Sequence, residues 1–461
     1  RLPTVTLCLS IAARRMADNK ALVRNLESVE TLGCTTVVCT DKTGTLTANR
    51  MSLQRLFLNE CIHSEADANF EKEELEKFLL VATLCNNARP KGGGSFSGDP
   101  TETALLEFAM RYHDVGLTQQ ASPRLFEEPF TAATKQMVTV NRVEGVTLAC
   151  LKGAPDVSIA MCDSILINGV AQPMTESHRQ AYLSAYEELA NKGERVLLFA
   201  YRQVEQRTVW HTEDLPRGGY TFIGLAGLFD PPRPEVPSAV SALRSAGLRV
   251  IMVTGDYQTT AVAIARMTGI VTTATPTVIT GEQLRTMGES QLDWDIDQPE
   301  VIFARTSPEQ KLRIVQALQR RGEVVAVTGD GVNDAPALKQ ADIGVAMGLS
   351  GTDVAREAAD MVLLDDNFAT LLPAIREGRT IFDNLKKSIA YTVTHAVPEV
   401  MPYLAFLFLG IPLPLTVTLI LSIELATDMM PAIALGREPA ERDIMQIPPR
   451  SRKERLVGPR L

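Results

Sequence analysis

Three short β-branched runs constrain this chain more than anything else in it: TTVVCT (35–40), LRVIMV (248–253) and EVVAVT (323–328). Each ends in hydroxyls and a carboxylate: Asp41 after the first, Thr254-Gly255-Asp256 after the second, Thr328-Gly329-Asp330 after the third. Further apolar runs, VIFAR (301–305), ADIGVAM (341–347) and MVLLD (361–365), alternate with helical stretches such as QTTAVAIARM and SPEQKLRIVQALQRRG. The second of these helices is fully punctuated. Ser307 is an N-cap, Pro308 sits in the first turn, Gln310 closes a capping box and Gly322 stands past the end. Strands alternating with helices predict an α/β doubly wound parallel sheet, covered on both faces. Ligands of such sheets lie beyond the carboxyl ends of the strands, so the three polar clusters are expected to share one crevice.

With 461 residues the chain is too long for one ordinary core. The sheet domain is expected to begin at residues 30–50, to be interrupted by an inserted domain at 51–225, and to resume at 226–368. The insertion has a different texture, with a charged helix expected at 69–82 and a Gly-rich loop, KGGGSFSGDP, at 91–100. A net charge of −9 argues against nucleic acid as a partner. The seven cysteines form no CxxC pair, which suits a reducing compartment and suggests no zinc site. The start, RLPTVT, has no Met and no signal peptide and reads as internal to a longer protein.

A membrane is also implied. Residues 388–410 and 413–435 are mostly apolar and about long enough to span, with only Ile411-Pro412 between them. A transmembrane helical hairpin is expected, with its stalk, over 369–436. Lys386 and Lys387 precede it, and Arg437, Arg442, Arg450, Arg452 and Lys453 follow, so both outer ends are expected to be cytoplasmic. Residues 1–29 then read as the end of another span and its stalk, and 437–461 as a cytoplasmic loop. Glu399, Glu424 and Asp428 lie inside the apolar segments, where ionisable groups are costly and mark an ion path. Pro398 and Pro402 are expected to break the first helix and free carbonyls for coordination.

Asp41 reads as a nucleophile toward phosphate. A magnesium ion with oxygen ligands, Asp330 among them, would offset its charge. Lys311 could reach the phosphoryl oxygens as a point charge, and Thr254 and the Gly255 N–H could donate to them. Such a set meets what phosphoryl transfer mainly asks for, positioning and charge neutralisation. Lys42 reads as part of the positive surround rather than as an ion-pair partner.

These residues carry a resemblance. DKTGTLT (41–47) is similar to the phosphorylation motif of P-type ATPases, and TGDGVNDAPAL (328–338), which holds Asn333 and Asp334, to their hinge and magnesium motif. DPPRPEV (230–236), MVTGD (252–256), LKGAP (151–155) and GERVL (193–197) resemble further motifs of that family, in its order. The resemblance implies a haloacid-dehalogenase-like phosphorylation domain with an inserted α+β nucleotide-binding domain, and magnesium held by Asp41, the Thr43 carbonyl and Asp330. A soluble phosphatase of the wider superfamily is the runner-up. Those enzymes place a second Asp two residues after the nucleophile as general acid, and Thr43 stands there instead, so an aspartyl phosphate should persist.

By the same resemblance ATP would meet Glu102 in SGDPTETALLEF and stack on Phe130 in FEEPFTAATKQM. Lys135, Lys152 and Arg195 would line the nucleotide site, and Arg305 would approach the ribose. There is no GxxxxGK[ST], so the site is not a P-loop. TGEQ (280–283) looks like the family's actuator motif but falls inside the phosphorylation domain, and reads as a turn and helix start. The actuator domain and the remaining spans would lie outside the chain. THAVPEV and ELATDMMP resemble the family's fifth and sixth spans, which makes Glu399, Glu424, Thr427 and Asp428 implied cation ligands. IPLPLT, DNLKKSIAYT and LLDDNFAT resemble the sodium/potassium and proton/potassium pumps, so a monovalent cation is favoured and a calcium pump is the alternative. His395 departs from both pump branches, which carry Ser or Lys there. A multi-pass membrane protein follows, expected in the plasma membrane with its catalytic domains in the cytoplasm.

Overall fold

The computed structural model describes every residue except 1, 65–71, 93, 132, 411, 413–414, 424–429, 453 and 455–461. The chain divides into two compact units, Arg1–Ala48 with Pro232–Leu461, and Asn49–Pro231.

The first unit is built on an eight-stranded sheet. From one edge its order is Ala21–Val23, Met361–Leu363, Ile343–Met347, Val325–Gly329, Val37–Thr40, Arg249–Val253, Val301–Ala304 and Thr277–Thr280. All neighbours run parallel except the edge strand Ala21–Val23, which pairs antiparallel with Met361–Leu363. The expectation of a purely parallel sheet therefore needs that one correction. Val37 and Cys39 pack into one apolar cluster with Ile251, Phe303, Ile314, Leu318 and Val325. Val38, Met252, Ile302 and Ala326, one residue out of phase, are buried on the opposite face. Both faces are covered, which is why these strands read as unbroken apolar runs.

The three polar strand ends fall on adjacent strands. Val37–Thr40 lies between Val325–Gly329 and Arg249–Val253, and Thr40 pairs with both Thr328 and Met252. The helix Pro308–Arg320 starts at the same end, with the Ser307 side chain accepting from the Gln310 N–H and the Gln310 side chain accepting from the Ser307 N–H. TGEQ does start a helix, Gly281–Thr286, with Thr280 as its capping residue.

From this unit rises a single helix, Leu371–Leu409, that runs through Pro398 and Pro402 without interruption. The expected break is absent, although neither proline can donate to the preceding turn. Residues 368–409 form the one helix, among the described residues, long and apolar enough to cross a membrane. The second expected span is seen only as Val417–Ile423 and Met430–Leu435, with 424–429 outside the described residues. The chain after it returns to the base of the long helix. Arg379, buried there, donates to the carbonyls of Ile444, Ile447 and Ala246, and Asn384 donates to that of Glu438. Lys387 pairs with Glu438 and Glu441.

The second unit holds a nine-stranded, mainly antiparallel sheet. Apolar clusters cover both its faces, one around Phe78, Phe108 and Phe199, the other around Tyr182, Tyr220 and Phe222. The Gly-rich stretch expected as a loop contains a two-stranded hairpin, Arg89–Gly92 with Ser95–Ser97. The charged helix is described over Lys72–Leu84, and 69–71 of the expected range lie outside the described residues.

Candidate active site

Where Val37–Thr40 ends, Asp41 begins a wide turn, Lys42–Leu46. Asp41 Oδ1 accepts from the Lys42 N–H at 2.6 Å, and Oδ2 accepts from Lys311 Nζ at 2.6 Å. Lys311 stands in the first turn of its helix and also donates to Asp334 Oδ1 at 2.7 Å. Asp334 Oδ2 in turn accepts from the N–H groups of Asp330 and Gly331. One ammonium thus ties the nucleophile strand to the loop after Val325–Gly329. Lys42, read above as part of a positive surround, is an ion-pair partner after all: its Nζ lies 2.7 Å from Asp256 Oδ2. That pairing draws the third strand end in.

These groups line a cavity of about 220 Å³ with Asp41, Thr43, Thr254, Gly255, Asp256, Lys311, Asp330, Asn333 and Asp334 on its walls. Thr254 is held by neighbouring backbone: its carbonyl accepts from both the N–H and the hydroxyl of Thr306. The electrostatics follow from burying three carboxylates around one lysine. Burial pushes the Asp41 carboxyl up, against the pull of Lys311. Burial, with Asp334 and Asp41 nearby, holds Asp330 at about 6. Burial disfavours the Lys311 charge, but Asp41 and Asp334 outweigh it and raise the group to about 12.

The donor set suits a hard divalent cation. Carboxylates raised by burial and by one another gain from one, and magnesium takes one or two carboxylates with other oxygens rather than a full protein cage. Among the described residues no three His, Cys, Asp or Glu side chains converge on one point. Room for Asp330 comes from Gly44, at φ +71°, where a Cβ would stand 2.2 Å from Asp330 Oδ2.

The second unit gathers most of the expected nucleotide residues. Glu102 is in the first turn of the helix Pro100–Ala109 and pairs with the buried Lys152 at 2.7 Å. Arg195 donates to the Thr101 hydroxyl at 3.0 Å. Lys135 sits in a left-handed turn and pairs with Asp156 at 3.5 Å, and its carbonyl accepts from Ala154 just after Lys152-Gly153. Phe130, 57% exposed, presents its ring to solvent. Asn87 escaped the sequence reading. Its N–H donates to Glu102 Oε2 and its side chain to Glu127, yet nothing in CNN (85–87) signals it. Arg305 belongs to the first unit. Of the expected cation ligands, Glu399 lies on the long helix with its side chain outside the described residues, as are Glu424, Thr427 and Asp428 altogether.

Comparison with known proteins names the class. Residues 74–235 match the family model of the P-type ATPase cytoplasmic domain N, 311–375 that of the haloacid dehalogenase-like hydrolases, and 412–461 that of the cation-transporting ATPase C-terminus. Along its whole length the chain is similar to P-type cation-transporting ATPases. Over its whole length it is 44% identical to the sodium/potassium-transporting ATPase subunit alpha-4 of Homo sapiens and 44% identical to the alpha subunit of Drosophila melanogaster, covering 50% and 49% of them. Identity to subunit alpha-3 of Gallus gallus is 43%, with 51% of it covered. The chain thus spans about half the length of the curated relatives it matches.

Proposed function

We propose that this chain carries the phosphoryl-transfer machinery and part of the ion path of an ATP-driven pump for monovalent cations. One observation carries the reading: Asp41, partly buried at a strand end, is held by Lys311 in a cavity of about 220 Å³ whose other walls bear Thr254, Gly255 and Asp330. An Asp41 oxygen attacks the γ-phosphorus of ATP. The bond from phosphorus to the bridging oxygen breaks, and that oxygen leaves with its electron pair on ADP. Lys311 offsets negative charge on Asp41 and on the phosphoryl oxygens, while Thr254 and the Gly255 N–H donate to those oxygens. Asp41, the Thr43 carbonyl and Asp330 would hold magnesium, which when bound neutralises phosphate charge. Thr43 offers no proton donor of carboxyl type, so the acyl phosphate survives long enough to drive a conformational step.

In this reading Glu102 faces the adenine, Phe130 stacks on it, and Lys135, Lys152, Arg195 and Arg305 meet the rest of the nucleotide. Phosphorylation alters the packing at 366–387 and so moves Glu399, Glu424, Thr427 and Asp428, the proposed cation ligands. The relatives' names favour sodium and potassium over calcium as cargo; a cell-surface membrane is the location this reading proposes. The test is cation-stimulated ATP hydrolysis by the intact protein in detergent or vesicles. Stimulation by sodium with potassium, lost in Glu424→Gln and Asp428→Asn, is expected. Stimulation by calcium alone, or indifference to both substitutions, would contradict the assignment.

A further inference from the structure

Arg305 has a backbone that an arginine rarely adopts. Its φ is +57°, in the left-handed region, and a residue kept there needs surroundings that impose it. Three features of the first unit do so. The Arg305 N–H donates to the Asp256 carbonyl at 3.0 Å. Behind it the Arg305 carbonyl packs on Gly281, where a Cβ would stand only 2.1 Å from that oxygen. Gly281 is itself fixed, since the Gln310 side-chain amide donates to its carbonyl at 2.6 Å. The TGEQ stretch, which has no catalytic part here, has a structural one: its glycine allows the close approach that braces the arginine turn.

The result aims the guanidinium at a particular neighbour. It lies over the ring of Tyr257, 4.1 Å from the centroid. Tyr257 is 66% exposed, an unusual position for a large ring with no packing role. It directly follows Thr254-Gly255-Asp256, and Arg305 directly precedes Thr306, all of which line the phosphorylation cavity. The stack therefore stands beside the cavity, fixed to two of its walls. A planar, permanently charged group seated over an aromatic face is restrained by that contact.

We propose that Tyr257 is a positioning residue for nucleotide binding. Its ring holds the Arg305 guanidinium in a preset orientation beside the cavity, where it takes the ribose or α-phosphate oxygens of an incoming nucleoside triphosphate. The inference rests on the reading that Asp41 accepts phosphate from ATP, and on that reading's placement of Arg305 near the nucleotide. Tyr257 acts only through Arg305. Its loss should weaken the nucleotide while leaving phosphate chemistry at Asp41 in place.

The experiment compares two phosphoryl donors on the intact protein, ATP and acetyl phosphate, the second having no nucleoside for Arg305 to meet. With Tyr257→Ala, the ATP concentration for half-maximal phosphoenzyme is expected to rise about threefold or more, a loss in the range of an exposed cation–π contact. Maximal phosphoenzyme should stay unchanged, as should labelling by acetyl phosphate. Tyr257→Phe keeps the ring face and should restore the wild-type ATP dependence, while Arg305→Ala should remove the effect of Tyr257→Ala when the two are combined. An unchanged ATP dependence in Tyr257→Ala would overturn the proposal. So would an equal loss with both donors, which would mark Tyr257 as a structural part of the catalytic loop. Failure of the wild type to label with either donor would refute the underlying reading instead, and is distinguishable from both.

Discussion

Lys311 serves two carboxylates at once, and the site depends on that sharing. Replacing it by methionine keeps most of the stem and removes the charge, which leaves Asp41 and Asp334 facing each other in a buried cavity with no cation between them. Phosphoenzyme formation by Lys311→Met is expected to slow by about 10²- to 10³-fold, the usual cost of deleting a charge-stabilising donor. Rapid-quench labelling measures it, and a rate within a few-fold of wild type would show that Lys311 is only structural. A second buried acid gives a prediction in pH. Glu300 is buried, which works against its charge, yet the amides and hydroxyls of Thr272 and Thr273 donate to it and hold it at about 2. A carboxyl depressed this far contributes about 3 kcal/mol to the folded state above pH 4.5, and the contribution is lost as pH falls from there through about 2. Exchange protection of the Thr272 and Thr273 amides should therefore fall over that window in the wild type, and should already be weakened at neutral pH in Glu300→Gln. Equal protection in both proteins would discount the network. At this scale the sequence was a partial guide. Asp41, Thr254, Lys311 and Asp330 stand out because hydroxyl and carboxylate residues follow apolar runs or open a capped helix. Their partners do not stand out: Lys42 with Asp256, and Lys311 with Asp334, are contacts between residues far apart in the chain, and no local pattern encodes them.

Among the elements, the helix Leu371–Leu409 is the piece through which the sheet unit could act on a membrane segment. Its base is tied to the returning chain chiefly by Arg379, whose guanidinium satisfies three carbonyls in a buried place. Removing it strands those carbonyls, and a charged hydrogen bond of this kind is worth about 1.5–3 kcal/mol. Arg379→Met is expected to lower the thermal midpoint of the intact protein and to loosen proteolytic protection of residues 438–450. Unaltered protection would mean that the Asn384 bond to Glu438 and the pairs of Lys387 with Glu438 and Glu441 suffice. Strands and helices of the sheet unit were largely readable, because both faces are covered and the helix Pro308–Arg320 carries its own start and stop signals. KGGGSFSGDP was not, since Gly and Pro depress strand propensity and the hairpin at Arg89–Ser97 is short. The prolines misled in the opposite direction. Each removes one donor from an otherwise apolar helix, and here the helical path continues past both.

Taken whole, the molecule joins a sheet unit with its active cavity, a second unit carrying Glu102, Lys152 and Arg195, and a long apolar helix. The order of motifs along the chain made the sheet unit and its interruption legible. The sequence could not rank the cargo, because acidic residues such as Glu424 and Asp428 accept several cations alike. The central claim is that Asp41 becomes phosphorylated by ATP, and it can be tested without knowing the cargo. The intact protein is incubated with magnesium and γ-labelled ATP, quenched in acid, and its label followed with and without hydroxylamine. A label that is stable in acid, released by hydroxylamine and absent from Asp41→Asn is expected. A label of the same size and hydroxylamine sensitivity in Asp41→Asn would contradict it.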